Sequence, residues 1–289
     1  MCMISGEIET VSKTNIFTAI VYKCTQLTVY SNHVDITNNP VAMILPVPKF
    51  KNNIPIKMLN LSETDLFSEL NGCCKPRTRG GFFGQGTKSS NGSIKVERCG
   101  SYQYSIVDEI SEFENLDNSI FKIDFSCLDY IKKFYGTKTS NFAFLVCIID
   151  KSADYSPIAY IHESNNKTLF IPTRHYHDHK NKEDYISKNF LNYLESNNNP
   201  YINKNRPDNN DNDNIALDWD HSIYTIDSKN NGILITDSLN NASPKAIECN
   251  LSHSRPHFKN NIFKNIDWSL LKQRKINGQF QNGDILIYA

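Results

Sequence analysis

The opening thirty-one residues constrain the fold more than any other stretch. Residues 2–11 and 16–22 carry extended apolar patterning, and Ser12-Lys13-Thr14-Asn15 between them is polar punctuation suited to a turn. Through residues 26–31, Leu27 and Val29 alternate with Thr28 and Tyr30. The pattern predicts a meander of three strands at the start of the chain. The second residue is Cys2, and initiator methionine is removed when the residue behind it is small. A chain processed in that way carries a thiol and an α-amine on one residue, a nucleophile beside its own base, suited to attack on an amide carbonyl. A small apolar cysteine that opens a buried strand explains the same residue without chemistry.

Composition narrows the classes of function. The 289 residues balance 31 basic against 31 acidic side chains, and the sequence pI is about 7.1. A nucleic-acid binder shows a basic excess or stripe, so a nucleic-acid partner is not expected; the short patch at Lys272 to Lys275 reads as solvated surface. The longest apolar run, Phe142–Ile149, is too short to cross a bilayer, and no charged segment followed by an apolar one opens the chain. The expected setting is cytoplasmic, with no membrane partner and no cofactor. Eight cysteines, at 2, 24, 73, 74, 99, 127, 147 and 249, are then expected as free thiols rather than a disulfide framework. Cys24, Cys127 and Cys147 lie in apolar patterns and read as core.

Farther along, residues 41–46 form a continuous apolar run that fits a strand buried on both faces, with Pro46 and Pro48 expected to end it. A helix is predicted from a cap at Ser62 to near Gly72. Residues 71–92, rich in glycine, read as a loop that matches neither common phosphate-binding spacing. Strands are predicted over 94–98, 102–107, 141–149, 158–161, 168–171, 222–226, 232–236 and 283–288, with Asp284 leaving a sheet edge. Phe125, Leu128, Ile131 and Phe134 recur at helical spacing, and Gly136 follows as a stop, so a helix is predicted between Asp124 and Tyr135. Asp267 to Leu271 reads as a helical turn. Residues 196–214, SNNNPYINKNRPDNNDNDN, have almost nothing to pack and are expected to be a disordered insertion. Together these predict one strand-rich α+β domain over 1–289.

The densest polar stretch is Thr173-Arg174-His175-Tyr176-His177-Asp178-His179. If the strand before Pro172 stays extended through it, His175, His177 and His179 share one face. Three readings are open: solvated histidines at a strand exit, a metal site completed by His221 or by Glu163 beside His162, and a general base or oxyanion stabiliser serving a cysteine. The candidate catalytic residues are Cys2, His175, His177, Asp178 and His221; no metal is assigned.

Two resemblances follow from these residues. Thr14-x-Ile16-Phe17, Ala42-Met43-Ile44-Leu45-Pro46-x-Pro48, Pro172-Thr173-x-His175-x-His177-Asp178 and Asp220-His221-x-x-Tyr224 resemble a group of uncharacterised proteins that begin with Met-Cys. The bias toward Asn, Ile and Lys resembles that of large DNA viruses. The opening hairpin with Cys2 and Phe17 is more loosely similar to the choloylglycine hydrolase and penicillin V acylase family of N-terminal-nucleophile (Ntn) hydrolases. Thr18 and Val21 stand where that family has Arg and Asp, so only Cys2 carries over, as nucleophile. The resemblance implies a layered αββα fold and hydrolysis of a C–N amide bond in a small molecule or peptide. The alternatives are a non-catalytic binding or structural protein and a metal-dependent enzyme built on His175 and His177.

Overall fold

The structure, a computed structural model, describes residues 3–50, 54–61, 64–73, 96–136, 141–165, 167–178, 217–226, 233–235, 258, 261–280 and 282–288. The Asn-rich stretch 196–214 and most of the glycine-rich loop 71–92 lie outside them. In chain order the first half forms β1 (Met3–Tyr22), β2 (Thr25–Ile36), β3 (Val41–Pro48), β4 (Lys57–Leu59), α1 (Leu66–Cys73), β5 (Glu97–Cys99), β6 (Tyr102–Val107), a 3-10 helix at Ile110–Asn115 and α2 (Phe125–Tyr135). The rest adds β7 (Phe142–Ile149), β8 (Ala153–Asp154), β9 (Ile158–Glu163), β10 (Thr168–Ile171), β11 (Tyr176–Asp178), β12 (Leu217–Ile226), β13 (Ile233–Ile235), β14 (Leu271–Phe280) and β15 (Ile285–Tyr288). Short 3-10 turns stand at Asn261–Phe263 and Trp268–Leu270, the latter capped by Asp267, whose carboxylate accepts from Ser269 N at 3.1 Å.

The expected meander is a single strand of 20 residues followed by a hairpin. Ser12-Lys13-Thr14-Asn15 does not turn the chain. Between Ser12 opposite His33 and Asn15 opposite Ser31, β1 advances one residue more than β2, and Lys13 takes up the surplus at φ 52°. This is a β-bulge, steadied by Asn15 Nδ2 donating to Lys13 O at 2.9 Å. A polar tetrapeptide serves a bulge as well as a turn, which is why local pattern misplaced the reversal. The turn falls at Lys23-Cys24, where Cys24 is half-buried at φ 61° rather than in the core.

β1 is hydrogen-bonded on both sides near each end. Met3 to Ser5 lie between antiparallel β3 and parallel β11, whereas Thr14 to Thr18 lie between antiparallel β2 and parallel β12. The antiparallel partner changes between Ser5, opposite Ala42, and Ile8, opposite Ile36. Gly6 occupies that corner at φ +114°, a conformation L side chains rarely adopt, and a Cβ there would lie 2.8 Å from Val41 Cγ1.

The twelve-stranded sheet runs β4-β9-β2-β1-β3-β7-β6-β5, with β8, β11, β12 and β14 attached beside this path. Its two ends meet: Cys99 Sγ on β5 donates to Leu59 O on β4 at 3.2 Å. The sheet therefore curls toward closure around an inner core. Val41, Met43, Leu45 and Val47 of β3 and Leu145, Cys147 and Ile149 of β7 face inward, where Leu169, Ile171, Ile285 and Ile287 of the small sheet β10-β15-β13 join them. The alternate residues Ala42, Ile44, Phe144, Val146 and Ile148 face out and are covered by α2 and Phe113. On another outer face, Phe17, Leu27, Val29 and Ala159 are covered by α1 and by residues 262–271, with Trp268 stacked on Phe17 at 5.7 Å. Two-sided burial is what the apolar run of β3 predicted, and β7 is buried in the same way. Pro48 ends β3 as expected, but Pro46 does not; the pairing of β3 with β1 stops at Ile44, so beyond that residue proline forfeits no described bond on that side.

This architecture corrects the layered αββα expectation. A four-layer fold needs two separate stacked sheets, and here β1 belongs to both halves of one coiled sheet. The Ntn hydrolase reading, with its amide substrate, falls with that fold. The helix α2 is where it was predicted, but its buried side chains are Cys127, Ile131 and Tyr135, and Phe125 is 87% exposed. Arg274, expected as solvated surface, is buried and donates to Thr225 Oγ1. Among the described residues no helix is long and apolar enough to cross a membrane.

Candidate functional site

Pro172 ends β10, as expected, and residues 172–175 then leave strand geometry until β11 begins at Tyr176. The alternation that would put His175 and His177 on one face does not run through this segment. Side chains replace the ladder there. Asp284 Oδ1 accepts from both Thr173 N at 3.0 Å and Arg174 N at 3.1 Å, and Thr173 Oγ1 donates to Gly283 O at 2.9 Å. The Asn282 amide brackets His175, accepting from its N–H at 2.7 Å and donating to its carbonyl at 2.8 Å. Upstream, the Gln26 amide does the same to Phe170, donating to its carbonyl at 2.7 Å and accepting from its N–H at 3.0 Å. Two side-chain amides and one carboxylate thus supply the bonds that a neighbouring strand would supply.

Helix α2 closes this latch. Tyr135 Oη donates to Asp284 Oδ2 at 2.6 Å, Asn282 Nδ2 donates to Tyr130 Oη at 2.8 Å, and the Arg174 guanidinium stacks 4.0 Å above the Phe134 ring. Arg174 Nε lies 4.0 Å from Asp284 Oδ2, with both side chains 3% exposed. Burial raises the Asp284 carboxyl above its usual range, against the opposing pull of Arg174, and burial with the nearby carboxylate raises the Tyr135 phenol well above its usual value. The raised phenol keeps Tyr135 a hydrogen-bond donor, and the two Asp284 oxygens accept from it and from the two main-chain N–H groups. The expectation that Asp284 leaves a sheet edge is corrected: it is 2% exposed.

The candidate residues are distributed as follows. His175 is 6% exposed, with its main chain held by Asn282. His177 and Asp178 belong to β11, which places His177 beside Ile4 of β1; their side chains, and Cys2, lie outside the described residues. His221 stands on β12 between Thr14 of β1 and Ile276 of β14, fully buried, and burial pushes its pKa well below the usual value, so the ring is neutral. Among the described residues no group of three His, Cys, Asp or Glu side chains is placed to hold a metal ion.

His162, named from sequence only as the neighbour of Glu163, is built into a separate network. Its Nδ1 lies 2.8 Å from Glu163 O, which can only accept, so the proton is on Nδ1 and Nε2 accepts from Thr28 Oγ1 at 3.5 Å. Gln26 Nε2 donates in turn to Thr28 Oγ1 at 2.9 Å. Burial holds His162 down at about 4. The folded state resists its protonation while the unfolded chain takes up a proton near 6.5, so its share of stability is complete above that pH and is lost as pH falls toward 4. Urea unfolding of wild type and His162→Gln is expected to show a difference that shrinks by about 3 kcal/mol between pH 7 and 4. A difference independent of pH would show that His162 is charged or solvated in the fold.

Sequence reasoning singled out the 173–179 segment and missed Asn282, Tyr130 and Tyr135, which hold its described part, and Gln26, which holds Phe170 before it. A phenol on the buried stripe of α2 was the one available signal, since a buried tyrosine hydroxyl needs a partner.

No family model matches the chain. Among solved structures it is similar to baculovirus P35, with a TM-score of 0.49 and 13% identity over 100% of this chain and 99% of that one. A mutated baculovirus P35 after caspase cleavage, at 3.1 Å resolution, has a TM-score of 0.45 and 13% identity, covering 98% and 99%. The structure of the caspase-8/P35 complex gives 0.46 and 12% identity, covering 96% of each chain.

Proposed function

We propose that this chain is a non-catalytic binding protein whose partner is another protein. The observation that carries the reading is the enclosure of His175 and His221, the two candidate catalytic residues whose side chains are described, and the structural use of Asp284 beside them. His175 is bracketed by Asn282, His221 is enclosed and neutral between two strands, and Asp284 accepts two main-chain N–H groups and a phenol. A general base must reach a substrate proton, whereas the His175 and His221 residues are 6% and 0% exposed, and Asp284 and Asn282 hold the main chain in place. What they hold is a stiff, curled sheet with helices on its outer faces, a frame for presenting surface to a partner.

Association with purified proteins tests the reading. Caspase-8, with which P35 is paired in the complex above, is the first to offer, using sedimentation velocity and calorimetry. Saturable association at a fixed stoichiometry, without turnover of peptide amides or esters by this chain, is the expected result. Turnover that vanishes in His175→Gln or His221→Gln, with circular dichroism unchanged, would overturn it.

A further inference from the structure

We infer that the layer formed by the 3-10 helix Ile110–Asn115, residues 116–124 and the first turn of α2 docks a basic protein segment, with Phe125 as the apolar anchor. The inference rests on the binding-protein reading and names the surface and the partner's chemistry.

Phe125 is 87% exposed, and the only other large hydrophobic exposed among the described residues is Tyr22, at 47%. A phenylalanine in water on the first turn of a helix contributes nothing to the fold, since Cys127, Ile131 and Tyr135 already form the buried face. Half-buried Ile120, Ile123 and Leu128 belong to the same layer and extend its apolar area beneath the surface. A fully exposed aromatic ring beside them offers an anchor, since aromatic anchors carry a large share of binding energy where they are covered.

Charge identifies the occupant. Residues 108–129 hold seven acidic side chains, Asp108, Glu109, Glu112, Glu114, Asp117, Asp124 and Asp129, against the single base Lys122, in a chain that is neutral as a whole. Phe113, Leu116, Phe121, Cys127 and Ile131 all bury against the outer face of β3 and β7, which turns the opposite side of the whole layer to water. Asp108, Glu109, Glu114, Asp124 and Asp129 are exposed there. Neutralisation within the chain is weak: Lys49 Nζ lies 3.9 Å from Asp108 and Lys132 Nζ 3.9 Å from Asp129, both at the surface. An acidic surface layer that carries an exposed ring disfavours phosphate, and with it nucleic acid and anionic lipid, and complements a segment in which lysine and arginine flank apolar side chains.

The probe is a pair of labelled synthetic peptides of one length, one with Lys and Arg around Leu and Phe, the other with Glu in place of each base, read by fluorescence anisotropy. The basic peptide is expected to bind the full chain and the acidic one not. Phe125→Ser is expected to weaken binding about tenfold or more, and Glu114→Lys with Asp129→Lys to weaken it and flatten its dependence on salt. The melting temperature of Phe125→Ser should match wild type. Equal binding of both peptides, no effect of Phe125→Ser, a lowered melting temperature in that variant, or a dimer of this chain that Phe125→Ser dissolves would each overturn the inference. Peptide binding that depends on Phe125 without any association with caspase-8 fails that partner and keeps the surface; caspase-8 association indifferent to Phe125→Ser fails the surface and keeps the reading.

Discussion

Asp284→Ala is expected to lower the unfolding free energy by about 3–5 kcal/mol, the range for removing one partner of a buried ionic and hydrogen-bonded group. The substitution leaves Thr173 N, Arg174 N and the Tyr135 hydroxyl without the carboxylate they share, in a place where water does not replace it. Asp284→Asn separates hydrogen bonding from charge. Its amide oxygen can still accept from the two N–H groups and its NH2 can donate to the Tyr135 oxygen, so a cost of about 1–2 kcal/mol is expected. The two variants also differ from wild type in their response to pH. Because burial raises the folded pKa of Asp284, the folded chain holds its proton more tightly than the unfolded one. The contribution is complete below the unfolded carboxyl value and declines as pH rises through the folded one. The stability of wild type minus that of Asp284→Asn should thus fall as pH is raised from below 3.8. A rise over that interval would mean that the Arg174 pairing outweighs burial, and equal stability of wild type and Asp284→Ala would remove the latch from the account.

Gly6→Ala is expected to cost about 3 kcal/mol or more. Two penalties add: φ +114° disfavours any side chain, and the new Cβ would overlap Val41 Cγ1 at 2.8 Å, with Val41 itself 2% exposed. Val41→Ala alone should cost about 2 kcal/mol as a cavity. In the double variant the overlap with Cγ1 disappears and the backbone penalty stays, so the sum should fall short of additivity by about 1 kcal/mol. Additive costs in urea unfolding would place all of the Gly6 effect in its backbone.

The candidate site was legible as a location rather than as a mechanism. Thr173 to His179 stood out as a polar run after a strand, and residues 172–178 do sit at a junction of the fold. Reading His175 and His177 on one face required the strand to continue, and Asp284, over a hundred residues away, decides that it does not. Phe125 was expected on the buried stripe because helical spacing marks a set of residues without saying which edge of the set the sheet covers; Tyr135 is drawn inside by Asp284 and Phe125 is left out.

The sequence by itself determined where most of the elements lie. The runs at 41–46, 102–107, 142–149, 158–161 and 168–171, the helix stopped at Gly136 and the turn capped by Asp267 are local patterns, because alternation, helical spacing and caps act between residues a few positions apart. Tertiary structure alone decided how those elements combine. That β1 passes from β3 and β11 to β2 and β12, that Lys13 makes a bulge and Gly6 a corner, and that Pro46 is tolerated depend on which strand arrives at each side. A strand's hydrogen bonds go to partners far along the chain, and their cost and benefit exist only once those partners are in place.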